Sequence, residues 1–229
     1  MAGEAAAGSR RAELEVHRAS ANAELADAHQ ARETALRACR AVIQASGRSI
    51  RATHRGEEER AGELAGEAGA ALVEAQAALE GFPALLGAGF VHDAEKEYAE
   101  ACLCAVLVAG GPLPGHAALG VSAPAWFNGL AEAASELRRH TLDTLRAGEL
   151  ARAERLLAEM DDIYGVLVGV DFPDAVTGGL RRTTDALRAV LERTRSDLTT
   201  TVLQTRLQRR LDEVLTRLGP LPGEPSPGP

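Results

Sequence analysis

A chain of 229 residues is long enough for one large domain with an ample core, or for two small ones at most, and we expect one. Hydrophobic residues make up 45 % of it and aromatics only 3 %, with abundant Ala, Leu, Glu and Arg and no cluster of strand formers, so the composition predicts an all-α fold. The net charge of −8 argues on average against a polyanionic partner, yet it hides a segregation: 9 Arg against 6 acids in residues 1–56, 7 cations against 21 acids in 57–180, and 9 Arg against 5 acids in 181–218. Basic ends around an acidic middle are compatible with a surface for a polyanion beside a region for a cation.

Cys39, Cys102 and Cys104 form no CxxC and have no His-rich neighbourhood, which argues against a zinc site or a disulfide framework and fits a reduced, cytoplasmic setting. The N-terminus lacks a signal-peptide core, and no apolar run approaches the ~18 residues of a membrane span. We therefore expect a soluble protein with a disordered leader over 1–11, one helical domain over 12–218 and a disordered Pro- and Gly-rich tail over 219–229.

A helical pattern runs from about Ala12 to Arg55, with Leu36, Cys39, Ile43, Ser46, Ile50 and Thr53 on its inward side. On the other side Arg37, Arg40, Gln44, Arg48, Arg51 and Arg55 recur every three or four residues, and Glu33 is the only acid between Arg32 and Arg55. This cationic stripe, with His54 beside it, reads either as a phosphate-binding surface or as a contact with the acidic middle of a neighbouring subunit. Gly56 ends the helix, and Glu57-Glu58-Glu59 opens the next, where the macrodipole favours negative charge. That helix reaches about Gly81, and its Ala-rich pattern reads as packing.

After the break at Phe82-Pro83, a helix carries Lys96-Glu97-Tyr98-Ala99-Glu100-Ala101 into the apolar run Cys102–Val108. At helical pitch Asp93, Glu97, Glu100 and Cys104 share a face on a helix that is otherwise almost wholly apolar. Carboxylates on such a helix either form its one solvated stripe or need a cation. The segment Gly110–Pro124 reads as a long loop, and Trp126 and Phe127 as anchors for the following helix, from about Ala125 to Ala147. This helix holds a second acidic pair, Glu132 and Glu136. A helix from Glu149 to about Gly169 follows. The last extends from Pro173 to Arg217, kinks near Gly178-Gly179, turns Leu180, Leu187, Leu191, Leu198, Val202 and Leu211 inward, and carries a second cationic group that includes Arg181, Arg182, Arg193 and Arg195.

Three stretches, in this order and spacing, resemble the translin family, and most closely its translin-associated factor X branch and prokaryotic homologues. Gly89-Phe90-Val91-His92-Asp93 followed by Glu97-Tyr98-Ala99-Glu100-Ala101 is similar to that branch's Glu-Tyr-x-Glu-Ala signature. Gly129-Leu130-Ala131-Glu132, then Glu136-Leu137-Arg138-Arg139, is similar to Gly-x-x-Asp followed by Gly-Glu-Leu. Phe172-Pro173-Asp174-Ala175 with Gly178-Gly179-Leu180-Arg181-Arg182 and the stretch 191–199 complete it, together with residues 51–57. The resemblance implies a single-domain antiparallel bundle of about six to seven helices that assembles into a closed, octamer-like homo-oligomer and binds single-stranded RNA or DNA. It also implies a metal-dependent endoribonuclease whose acidic positions are Glu97, Glu100 and Glu136, with Glu132 standing where the family has Asp.

The chemistry expected of these residues is coherent. Carboxylates from two helices would hold Mg²⁺ or Mn²⁺, lower the pKa of a bound water and stabilise charge on a scissile phosphate. A ferritin-like di-iron site would need Glu-x-x-His on two helices, and no His lies three residues after Glu100 or Glu136. We accordingly take Glu97, Glu100, Glu132 and Glu136 as candidate catalytic and metal-binding residues, and Arg37, Arg40, Arg48, Arg51, His54, Arg55, Arg181, Arg182, Arg193 and Arg195 as candidate nucleic-acid contacts. The competing readings are a translin-like protein that binds without cutting and a purely structural bundle.

Overall fold

The Ala-, Leu- and Glu-rich segments form helices, as their propensities require. A computed structural model describes the backbone of residues 2–218 and the side chains of 10–218. Among the described residues there are six long helices, α1 (Ala2–His54), α2 (Glu58–Ala78), α4 (Gly89–Ala109), α6 (Ala123–Arg146), α7 (Leu150–Val168) and α9 (Leu180–Leu218), and no strand. Three single-turn helices, α3 (Pro83–Leu86), α5 (His116–Leu119) and α8 (Asp174–Thr177), lie in the connections. The all-α expectation holds, and the six long helices are those anticipated. The backbone of helix α1 starts ten residues before the pattern suggests. The segment 219–229 lies outside the described residues. Among the described residues no helix is long and apolar enough to cross a membrane.

The chain divides into two compact units, one made of residues 1–130 with 172–180 and the other of 131–171 with 181–229. In the first, Gly56 adopts φ +74° and the amide of Glu57 donates to the carbonyl of Ala52 at 3.0 Å, so α1 and α2 fold back on each other. The hydroxyl of Ser49 donates to the carbonyl of Ala61 at 2.8 Å, and Ala52, Ala61 and Leu64 close the seam. Alanines at these positions allow close approach, and α4 packs against both helices. Ile43, expected inward, is 38 % exposed, while Val42 and Ala45 take the buried positions.

Burial also silences a nucleophile. The thiol of Cys39 is pushed up to about 11, first by burial and then by the charge of Glu95. Because the unfolded chain ionises near 9 and the folded chain does not, the folded state holds the extra proton between these values. We predict that folding stability falls as pH rises from about 9 to about 11 and that Cys39→Ser flattens this fall, measured as urea midpoints.

The expected loop over 110–124 contains the turn α5, ended by Gly120 in the left-handed region (φ +66°), and α6 starts at Ala123. Trp126 is an anchor, as expected: its indole donates to the carbonyl of Pro114 at 2.9 Å and its ring meets Phe127 edge-on at 5.3 Å. The last long helix does not run unbroken from Pro173. Gly178 (φ +62°) and Gly179 (φ +83°) end α8 outright, and α9 begins at Leu180. A Cβ at Gly178 would stand 2.6 Å from Cε1 of His92. Gly178→Ala therefore combines left-handed strain with a clash, and we expect a loss of about 2 kcal/mol or more, read as a lowered urea midpoint.

In the second unit the later turns of α6, α7 and α9 bury Leu137, Leu156, Met160, Leu167, Leu187 and Leu191. Arg138 spans from α6 to α9, donating to the hydroxyl of Thr194 at 3.1 Å and to the carboxylate of Asp197 at 2.8 Å. The inward pattern of α9 ends at Leu198, and Leu211, expected inward, is 53 % exposed.

Candidate metal centre

Helix α4 is buried along Val91, Ala94, Ala99, Leu103 and Leu107, and it carries two buried acids, Glu95 and Glu100. The carboxylate of Glu95 is occupied: it accepts from the Ser122 amide at 3.0 Å, the Ser122 hydroxyl at 2.6 Å and the Gln76 amide at 3.1 Å. These bonds hold the start of α6, since Ser122 immediately precedes it and the amide of Trp126 donates to its carbonyl. The sequence pattern missed Glu95 because at helical pitch it lies off the face shared by Glu97 and Glu100. Asp93, which does lie on that face in projection, is exposed.

Inside the first unit, α6 lies on α4 at Gly129, with no side chain between the two backbones. One turn further on the same uninterrupted helix stands Glu132. Ligand atoms of Glu97, Glu100 and Glu132 all lie within 4.8 Å of one another. Glu100 is 8 % exposed, and Glu97 and Glu132 are half-buried, so one end of the group is sealed and the other is reachable by solvent. The ammonium of Lys96 lies 3.4 Å from Glu97 Oε1 and supplies part of the charge that a carboxylate cluster needs.

Three hard oxygen donors suit Mg²⁺ or Mn²⁺ rather than a softer metal. Ligand oxygens about 2.1 Å from one Mg²⁺ lie about 3–4.2 Å apart, so a group that spans 4.8 Å fits with a small closure of its side chains. The longer side chain at Glu132 reaches the group. Glu136, one turn beyond, is not one of the three. It lines a groove of about 470 Å³ with Arg138, Arg139, Asp143 and Arg146. These arginines were not among the expected nucleic-acid contacts.

Of the expected cationic residues, Arg37, Arg40, Arg48, Arg51 and Arg55 are exposed along one side of α1, and His54 is half-buried. Their charge is partly matched. Arg55 is held by Glu57 through bonds of 2.7 and 2.6 Å, and Arg48 lies 3.7 Å from Glu67. Arg181, Arg182 and Arg193 are exposed on α9. Arg195 is tied to Asp161 at 2.8 Å and Glu192 at 3.4 Å, a structural role within the second unit.

No family model matches the sequence. An uncharacterized protein of Methanocaldococcus jannaschii is 29 % identical over 127 residues, a match that spans 55 % of this chain and 57 % of that protein's length. Among solved structures, the crystal structure of AfC3PO is 30 % identical with a TM-score of 0.76, covering 82 % of this chain and 98 % of that one. The structure of an AfC3PO–duplex RNA complex is 29 % identical with a TM-score of 0.70, covering 82 % and 97 %. Apo-NeC3PO, at 16 % identity and a TM-score of 0.71 over 80 % and 95 %, has the same fold. With nearly the whole length of AfC3PO matched at that identity, this chain belongs to the translin family, the family of the C3PO proteins.

Proposed function

We propose that this protein binds RNA and cleaves it as a divalent-metal-dependent endoribonuclease. The observation that carries this reading is the convergence of Glu97, Glu100 and Glu132 from two helices within 4.8 Å. Glu97 and Glu132 would hold Mg²⁺ or Mn²⁺ at the open end of the group and Glu100 at the sealed end. A bound divalent ion would supply an activated water and charge stabilisation at the phosphate. Glu136, which lines one groove with Arg138, Arg139 and Arg146, would accept a proton from the attacking water or orient it. The exposed arginines of α1, with His54, and Arg181, Arg182 and Arg193 of α9 would contact the phosphate backbone.

The similarity to a C3PO solved with duplex RNA supports RNA as the ligand and brings paired as well as single-stranded RNA into the substrate class. A closed homo-oligomer belongs to the same reading. Leu203, Leu207, Leu211 and Leu218 recur every four to seven residues on α9 and are 53–75 % exposed in the single chain, a stripe suited to burial against another copy.

The test is incubation of labelled single-stranded and duplex RNA with the purified protein in Mn²⁺, Mg²⁺ or EDTA. Internal cutting that requires metal is the expected result. Salt-sensitive binding without cutting at any metal concentration would leave a binding protein, and no binding at low salt would overturn both readings.

A further inference from the structure

We propose that Gly129 sets the spacing of the carboxylate group: by letting α6 rest directly on the backbone of α4, it brings Glu132 to Glu97 and Glu100. This inference rests on the metal-dependent reading above. A Cβ at position 129 would stand 2.8 Å from the carbonyl oxygen of Lys96, 2.9 Å from Cβ of Ala99 and 3.0 Å from the amide nitrogen of Glu100. Two of these three atoms are backbone and cannot rotate away, so any side chain at 129 forces the helices apart. The atoms it would strike belong to the turn that carries both α4 ligands, Glu97 and Glu100, while Glu132 lies three residues on along α6 and on the same face as Gly129.

Gly129 and Ala99 are both buried, Ala99 completely, and a close-packed interior leaves no slack to absorb the shift. The bonds from Glu95 to Ser122 tie the start of α6 independently, so a methyl group at 129 would displace the helix from the contact onward, towards Glu132. A glycine inside a helix costs roughly 0.5–1 kcal/mol relative to alanine and calls for a packing reason. Gly62 and Gly66 of α2 show the contrast, since a Cβ at either meets nothing within 4 Å.

Spreading the group keeps every donor but lengthens their separation. Mg²⁺ needs oxygens at about 2.0–2.1 Å, whereas Ca²⁺ accepts about 2.3–2.6 Å. The expected signature of Gly129→Ala is thus a change in metal preference, which a loss of stability alone would not produce.

The experiment is Mn²⁺ titration of the full chain followed by electron paramagnetic resonance, with Mg²⁺ and Ca²⁺ as competitors, on the wild type, Gly129→Ala, Ala99→Gly/Gly129→Ala and the control Gly62→Ala. Circular dichroism confirms folding. We expect Gly129→Ala to lower Mn²⁺ affinity about 10- to 100-fold and to raise the preference for Ca²⁺ over Mg²⁺. The double variant, relieved of one of its three contacts, should fall between it and the wild type, and Gly62→Ala should match the wild type. Wild-type affinity with unchanged preference in folded Gly129→Ala would overturn the inference, and the double variant decides by the same criterion if the single one does not fold. A wild type that binds no Mn²⁺ would overturn the metal reading as well, whereas an unaffected Gly129→Ala beside a Mn²⁺-binding wild type removes only the role of Gly129.

Discussion

We expect Glu100→Ala to cut metal-dependent RNA cleavage sharply and to leave RNA binding nearly unchanged. Glu100 is the most buried of the three converging carboxylates, so no water-exposed neighbour can replace it at the sealed end of the group. A metal ion contributes several kcal/mol of charge stabilisation in such reactions, so losing its buried ligand should cost on the order of 10³-fold in rate. In the proposed reading the phosphate contacts come from exposed arginines elsewhere, so binding should stay within about threefold of the wild type with the same salt dependence. Single-turnover cleavage and filter binding of one labelled RNA measure both quantities. Equal losses of binding and cleavage would place Glu100 in the architecture instead of the chemistry.

We expect Glu132→Asp, which installs the residue that the resemblance to the translin family implies at this position, to weaken metal binding here. The carboxylate of Glu132 already lies within 4.8 Å of its partners, and removing one methylene withdraws it by about 1.5 Å while α6 stays fixed by its contact at Gly129. We expect a loss of about 10- to 100-fold in Mn²⁺ affinity, and with it a smaller metal-induced rise in Tm. For the wild type, Mn²⁺ at 100 times its Kd adds about 2.7 kcal/mol, a rise of roughly 5–10 °C in a chain of this size. Differential scanning fluorimetry with and without Mn²⁺ reads this directly. A larger rise in Glu132→Asp than in the wild type would mean that the longer side chain is a defect in the site.

The helices were legible because their cause is local. Good helix formers, Leu and Ala with Glu or Arg, recur through every long segment, and Gly56, the Phe82-Pro83 break and Gly148 punctuate them where the chain turns. The break after α8 was less so: a Gly-Gly pair permits a kink or a full stop, and the choice falls to the left-handed conformations at Gly178 and Gly179 and to the close seat of His92 on Gly178. Ile43 and Leu211 were misplaced because periodicity assigns a face and does not say how far a neighbour covers it.

At the candidate site the pattern gave the acids on α4 and α6, and the structure sorted them. Glu132 meets Glu97 and Glu100, while Glu136 opens onto an arginine-lined groove. Glu95 could not be found from the face it occupies, since its role depends on Ser122 and Gln76, distant in sequence. The stripe of α1 was legible as a row, but the approach of Glu67 to Arg48 depends on the fold-back of α2, whereas Glu57 meets Arg55 within the turn itself.

The most direct measurement is Mn²⁺ binding to the wild type and to the Glu97→Ala/Glu100→Ala/Glu132→Ala variant, by loss of the free-ion electron paramagnetic resonance signal. Saturable binding by the folded wild type that disappears in the folded triple variant is the predicted result. Binding that survives removal of all three carboxylates, or no binding by the wild type at millimolar Mn²⁺, would contradict the assignment of this group as the metal centre.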